Sequence, residues 1–453
     1  MKLVVIGGNA AGMSCASKAK RRAPDMEVEV LEAGPDISYS SCGIPYLVEG
    51  LVPDPEQLLV LSPADAKERG IDVRTQTRAI AMNPYTKEVV FQGPDGRDSI
   101  HYDRLCIATG TSPRNPFTGA NLAGVHTLRN IADGRSFVET VSKSKAPRVA
   151  VVGGGYIGLE MAYALKRRGA KVTLIHRGPR LMSSMDPEVT DGLDEWFREM
   201  DIDVELGVKV KGFEADAKGH VNAVNLEKGD VKANAVLVAV GTQPVTEFAQ
   251  KAGVETARTG HILVDDQLKT NLHDVWAAGD CVAPRHIVTG RPMAMPLALP
   301  SNRMGRIAGD NIGASASDIP GAAQFFPGVV GTTVMRLGKL GFAQTGLTET
   351  QAKEENFDAV SALVESKSKA AYMPGAGTMV IKVVAEKKTG KLLGVQMAGP
   401  EDSVLRIDAA AVALQGGIKV NRLADMETAY APPFSPVWDP LLVAAAECAK
   451  KLK

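Results

Sequence analysis

Ile6-Gly7-Gly8-Asn9-Ala10-Ala11-Gly12 and Gly153-Gly154-Gly155-Tyr156-Ile157-Gly158 are two glycine turns of one kind in a single chain. Each sits between a short apolar run and an Ala-rich helical stretch, the first spanning Lys2 to Arg22 and the second Arg148 to Arg168. A second apolar run follows each, Glu27–Glu32 and Lys171–His176. Strand, glycine turn, helix and strand in that order are the signature of a dinucleotide-binding βαβ unit. One such match is a weak signal, and two in full context are a strong one.

The second turn satisfies G-x-G-x-x-G at Gly153, Gly155 and Gly158. The first departs from it, because Asn9 occupies the middle position. Gly7 still permits the tight turn and Gly12 the close packing of helix on strand, with Gly8, Ala10 and Ala11 completing the loop. A helix starting there offers unpaired N–H groups and a partial positive charge to a pyrophosphate. Glu32, at the end of the next strand, is placed to accept bonds from ribose hydroxyls. Asp280 follows Val275-Trp276-Ala277-Ala278-Gly279, read as a strand returning to the first unit, where a carboxylate meets a ribityl chain. Alone, Asp280 reads equally as a helix cap; with the first turn it favours FAD. In the second unit His176 and Arg177, with Arg180 nearby, replace the acidic residue that would repel a 2′-phosphate. That favours NADPH over NADH, the alternative being a solvated basic turn.

The apolar runs Arg104–Gly110 and Ala235–Pro244 close the two units. The expected architecture is α/β, with two Rossmann-like domains and an α+β third domain. The FAD domain is expected over residues 1–115 and 245–320, the NAD(P) domain over 116–244 and the third domain over 321–453. In the third domain strands are expected at Val329–Leu337, Thr378–Ala385 and Leu392–Ala398, and helices at Val404–Gln415 and Leu441–Lys450. A chain of 453 residues accommodates three such domains.

Lys+Arg and Asp+Glu balance at 52 each, so no overall field attracts polyanions and nucleic acid is not an expected partner. No apolar run reaches 18 residues, and the N-terminal one is too short for a signal peptide; no membrane association is expected. Five scattered cysteines without a CxxC pair argue against a structural zinc site or disulfide framework and for a cytoplasmic setting. Cys42 differs from the rest. It lies in Ser40-Ser41-Cys42-Gly43-Ile44-Pro45-Tyr46, a loop or helix start, where a helix N-terminus would lower its pKa. Cys15, Cys106, Cys281 and Cys448 read as structural.

From Val4 to Pro440 the chain resembles the pyridine nucleotide–disulfide oxidoreductase superfamily. The resemblance rests on both glycine turns, Ala108-Thr109-Gly110, Ala278-Gly279-Asp280 and Ala429-Tyr430-Ala431-Pro432-Pro433-Phe434. It is closest to the single-cysteine branch: coenzyme A-disulfide, persulfide and polysulfide reductases, NADH oxidases and NADH peroxidases. Position 47 is Leu where two-cysteine members carry a second Cys, and no His follows His286. Ala10 stands where oxidases and peroxidases carry a His, which argues against oxygen or peroxide as the main acceptor.

The resemblance implies a homodimer in which Tyr430 and Tyr372 of one subunit manage a proton at Cys42 of the other. A second consecutive Tyr of that motif is Met373 here. It further implies a hydride passing from NAD(P)H to flavin N5, with Tyr156 as a lid and Ile157 beside it. Glu160 and Gly241 lie near the nicotinamide, and Ala298 and a helix capped by Ser301 near the flavin. Lys18, Arg22, Ser41 and Asn302 are implied contacts for a substrate, coenzyme A included; a solvated basic helix face is the alternative for Lys18 and Arg22. The reaction implied is reduction of a coenzyme A disulfide, persulfide or polysulfide, the alternatives being an oxidase acting on O2 or a reductase serving a carrier protein. No metal is expected, and no appended rhodanese-type domain.

Overall fold

The computed structural model describes residues 1–315 and 323–452. The expected boundary at 320/321 lies outside the described residues. Two five-stranded parallel sheets share one plan. In the first the order is Val275–Ala277, Arg104–Ile107, Lys2–Ile6, Glu27–Leu31, Asp72–Arg74. In the second it is Asp203–Leu206, Lys171–His176, Arg148–Val152, Ala235–Val238, Val125–His126. In each, the strand before the glycine turn is central and buried, as covered parallel strands require: Leu3, Val4 and Val5, like Ala150 and Val151, have no exposed surface. The two turns are held alike, Gly7 N–H donating to the Leu31 carbonyl at 2.8 Å and Gly153 N–H to Ile175 at 2.8 Å. The late strand Val275–Ala277 pairs in parallel with Arg104–Ile107, bringing Asp280 back to the first glycine loop.

The helix Ala298–Ala314 lies along the first glycine helix, Ala10–Arg22. Gly305, Gly309 and Gly313 form a stripe on it, and Cβ atoms there would run into Ala11, Cys15 and Arg22 in turn. The helices therefore run parallel at close range, with both N-termini toward the first glycine loop.

The third region is a five-stranded antiparallel sheet, ordered Thr333–Leu337, Leu340–Gly346, Leu392–Pro400, Thr378–Glu386, Ala359–Lys367. Helices Ile407–Gln415 and Pro440–Ala449 pack on it. The first expected strand begins later than Val329, because Val329 instead bridges to His286. The expected helix at Val404 begins as a 3₁₀ turn, Ser403–Arg406. Strands Leu340–Gly346 and Ala359–Lys367 were not expected: the first is bounded and interrupted by glycines, and the second alternates exposed polar residues at its end. One face of this region is apolar and exposed, with Tyr372, Phe434, Val437 and Trp438 each at least two-thirds uncovered.

Candidate active site

Three helices meet at the site with N-termini that no side chain caps: Ala10–Arg22, Tyr156–Arg167 and Ala298–Ala314. Their first-turn N–H groups are thereby left for a ligand. Gly7 and Gly153 occupy the left-handed region at φ +109° and +121°, and a side chain at either would collide with the carbonyl of Ala108 or Ala239. Gly155 faces open space, which suits close approach of a pyrophosphate.

At the first loop the Glu32 carboxylate accepts from the N–H groups of Gly8 and Gly34, both at 2.6 Å. It lines a cleft with Gly7, Asn9, Tyr39, Ala108, Thr109 and Arg129. Asn9 does more than interrupt the fingerprint: its Oδ1 accepts from Tyr39 N–H at 3.1 Å, tying the glycine loop to the segment that leads into Cys42. Arg129, which no motif marked, donates to the carbonyl of Thr109 at 3.3 Å and faces Gly110. Asp280 accepts from the Ser301 hydroxyl at 2.6 Å; burial pushes its carboxyl above the usual range, with that hydrogen bond opposing. Ser301 is accordingly not a cap. Leu297 holds the cap position, Ala298 is the first helical residue, and Ser301 faces inward one turn on because its hydroxyl serves Asp280.

At the second loop His176 takes the structural place that Glu32 takes at the first. Its Nδ1 accepts from Gly154 N–H at 3.1 Å. Burial, then the neighbouring Arg177, lowers its pKa, so the ring acts as a neutral acceptor rather than a cation. Arg177 is exposed and free to meet a phosphate, whereas Arg180 is occupied by the carbonyls of Met182, Ser183 and Met185. Tyr156 hydrogen-bonds Thr333 Oγ1 at 3.1 Å, a tie from the glycine loop to the third region. Ile157 is exposed, and Gly241 turns the chain at φ +104°. One turn beyond Tyr156, burial raises Glu160 from 4.5 to about 7.

Cys42 lies in a single 3₁₀ turn, Ser41–Gly43, ahead of the six-residue helix Ile44–Glu49. It is the exposed one of the five free cysteines. The expected lowering of its pKa is not found. Desolvation by the surrounding protein, followed by the carboxylates of Glu160 and Asp280, pushes the thiol up, and the contributions of Ser41 and a backbone amide are smaller. Desolvation, with two acids adding to it, disfavours the thiolate here. Tyr46, one turn on, carries Arg336 of the third region over its ring at 5.6 Å; neither was marked by sequence.

Tyr372 and Tyr430 are both exposed on the third region, and their loops are joined by Ala370 N–H to Pro432 carbonyl at 3.1 Å. Arg406 ties the same loops through the carbonyls of Ser368 and Phe434. Besides desolvation, the groups that weigh most on Cys42 are Glu160, Asp280, Ser41 and a backbone amide. Three residues expected to bind substrate are engaged within the chain. Lys18 pairs with Asp310 at 2.9 Å, Asn302 accepts from Ser14 at 2.8 Å, and the stem of Arg22 packs against Gly313. No helix among the described residues is long and apolar enough to cross a membrane.

Two glycine-loop units, a returning acidic strand and one accessible thiol beside them define an oxidoreductase of the flavin and nicotinamide class. The chain belongs to the pyridine nucleotide-disulphide oxidoreductase family: that family matches residues 1–301, and its dimerisation domain matches residues 335–441. It is 40% identical over 446 residues to the NAD(P)H sulfur oxidoreductase (CoA-dependent) of Pyrococcus abyssi, covering 98% of this chain and 97% of that protein. It is 39% identical to the NAD(P)H coenzyme A polysulfide/persulfide reductase of Pyrococcus horikoshii, covering 98% and 97%. The fold matches the solved NAD-dependent persulfide reductase from A. fulgidus with a TM-score of 0.94 and 33% identity, over 100% of this chain and 83% of that one.

Proposed function

We propose that this enzyme uses NAD(P)H to reduce the sulfur–sulfur bond of a coenzyme A disulfide, a persulfide or a polysulfide, with Cys42 as the reacting thiol. The observation that carries the reading is the placement of the one exposed cysteine beside Glu160 of the second glycine helix and Asp280 of the returning strand. The names of the similar proteins point the same way.

The family implies FAD and NAD(P)H, and the uncapped helix ends and open glycine loops fit both. In this reading residues 1–115 and 245–320 hold FAD, 116–244 hold the nicotinamide nucleotide and 321–453 dimerise. FAD would lie against Gly7, Gly8, Ala10, Ala11, Gly12, Glu32, Ala108, Thr109, Gly110, Asp280 and Ala298. The nicotinamide nucleotide would lie against Gly153 to Gly158, Glu160, His176, Arg177 and Gly241. Bound flavin supplies two-electron transfer between the nicotinamide and sulfur. Arg177 supports a preference for NADPH through its free guanidinium.

The Cys42 thiolate attacks one sulfur of R–S–S–R′, forms Cys42–S–S–R and expels R′–S⁻. Two electrons then cleave that mixed disulfide, restoring the Cys42 thiolate and releasing R–S⁻. Tyr430, with Tyr372, is proposed to donate a proton to the leaving thiolate from the partner subunit. The sum is R–S–S–R′ + NAD(P)H + H⁺ → R–SH + R′–SH + NAD(P)⁺. Coenzyme A phosphates would draw on Lys18, Arg22, Ser41 and Asn302, with Lys18 exchanging its Asp310 partner. A cytoplasmic setting suits an enzyme fed by NAD(P)H.

The test is mass spectrometry of the purified protein before and after mild reduction, together with turnover by Cys42→Ser. A loss equal to coenzyme A from Cys42, and turnover of coenzyme A disulfide reduced at least about a hundredfold in the variant, are expected. Undiminished turnover by Cys42→Ser would end the proposal.

A further inference from the structure

A buried ionic cluster joins the second unit to the third sheet, and it starts four residues after Met182, which touches the second glycine loop. Met182 N–H donates to the Gly154 carbonyl at 2.8 Å, and Leu181 fills the space a side chain at Gly154 would need. Met182 is buried at φ +47°, a conformation that a non-glycine residue holds only when its surroundings impose it. Arg180 clamps one side of the bend through the Met185 carbonyl at 2.6 Å. The other side is Asp186, only 2% exposed.

The Asp186 N–H and both of its carboxylate oxygens are met from the third region. Its N–H donates to Gln396 Oε1 at 2.6 Å, and its Oδ2 accepts from Gln396 Nε2 at 2.7 Å and from Glu349 N–H at 2.9 Å. Its Oδ1 accepts from the Thr350 hydroxyl at 3.1 Å. Lys382, 3% exposed and paired in register with Gln396, reaches Asp186 at 3.2 Å, Glu188 at 3.1 Å and Glu349 at 3.0 Å. One buried ammonium thus holds three carboxylates, two of them on the segment that touches the glycine loop. Burial works against ionisation of Asp186, yet the Glu349 amide, Gln396 and Lys382 together keep its carboxyl below the usual range, so the cluster is charged at neutral pH. A buried cluster of this kind contributes little net stability against apolar replacements but fixes one geometry.

We infer that Lys382 and Gln396 are positioning residues for the nicotinamide nucleotide, holding residues 181–186 against the second glycine loop from the third sheet. The inference rests on the reading above that this loop binds NAD(P)H. Without Lys382 the Asp186 and Glu188 carboxylates lose their ammonium, while Glu349 keeps Lys353 at 2.6 Å, and the bend relaxes, moving Leu181 and Met182 relative to Gly154.

The test uses the flavin-loaded enzyme and needs no sulfur substrate: anaerobic reduction of bound flavin by NADPH and by NADH, followed by absorbance, gives an apparent Kd and a limiting rate. Lys382→Met and Gln396→Leu should raise the apparent Kd for the nucleotide between about two- and thirtyfold. Limiting rate and flavin content should stay at the parent level. If Lys382→Met does not fold, Gln396→Leu, which removes only a neutral amide, decides the question. An unchanged apparent Kd in a folded variant, or a loss confined to limiting rate or flavin content, overturns the inference. Failure of both nucleotides to reduce the parent's flavin overturns the reading of the second site as well, and so is told apart from failure of the inference alone.

Discussion

Glu160 is a carboxyl kept in a place that disfavours its charge. It titrates near pH 7 in the folded chain against 4.5 ordinarily, with burial as the cause. Between those values the folded chain binds a proton that the unfolded chain has released, so stability falls as pH rises through that window. Glu160→Gln removes the titration. The variant should be more stable than its parent at pH 8 by about 1–2 kcal/mol, after allowance for solvent screening, and indistinguishable from it near pH 4.5. Chemical denaturation at the two pH values measures this, and equal differences at both would refute it. Because the Glu160 carboxylate also raises Cys42, the same variant should shift the pH midpoint of Cys42 alkylation downward. At Arg177, replacement by Ala should cut kcat/KM for NADPH by about tenfold and leave NADH little changed, if its exposed guanidinium meets the 2′-phosphate as proposed. Equal losses with both nucleotides would show that Arg177 does not read that phosphate.

Among the elements, the helix pair Ala10–Arg22 and Ala298–Ala314 carries the sharpest contrast between packing and function. A methyl group at Gly305 meets the backbone of Ala11 and has nowhere to go, whereas one at Gly155 meets nothing within the chain. Gly305→Ala should therefore cost about 1–3 kcal/mol of stability, as overpacking does, and should lower the flavin retained on purification. Gly155→Ala should leave stability within about 0.5 kcal/mol of the parent while weakening nucleotide binding, because the space it enters is the one a pyrophosphate needs. Denaturant midpoints and nucleotide titrations separate the two. If Gly155→Ala destabilises as much as Gly305→Ala, the space it enters serves packing rather than the nucleotide.

On the scale of the whole molecule, the third region of the 47.9-kDa chain leaves Tyr430 and Tyr372 exposed together with Phe434, Val437 and Trp438. Two subunits related by a two-fold axis would bring each tyrosine face to the other's thiol. Co-expression of Cys42→Ser with Tyr430→Phe tests this. A mixed dimer retains one site with both residues intact if they act across subunits, so its activity should be about half that of the parent dimer. If the residues act within one subunit, each site keeps the defect of its own chain: the Cys42→Ser site is dead and the Tyr430→Phe site no better than in a Tyr430→Phe dimer. A mixed dimer no more active than that prediction excludes the arrangement.

Both βαβ units were legible because their signals are local: a glycine at each left-handed turn, an apolar run for each covered strand, and a helix start within a few residues. Cys42 was legible for a similar reason, as a thiol among small polar residues. Its electrostatic setting was not. The carboxylates that raise it come from positions 160 and 280, and only the packing of Tyr156–Arg167 and the return of Val275–Ala277 bring them there. His176 read in the sequence only as a replacement for an acidic residue, but its hydrogen bond to Gly154 makes it the neutral counterpart of Glu32. Ser301 read as a cap, but the parallel helix pair turns it onto Asp280. Composition and spacing determined the two nucleotide folds and set Cys42 apart from the other four cysteines, since those follow from residues close in the chain. Charge state, partners and the hold of the third sheet on the second loop were decided by contacts between residues 21 to 210 apart in the chain, where desolvation and Coulomb interactions depend on distances that no local pattern encodes.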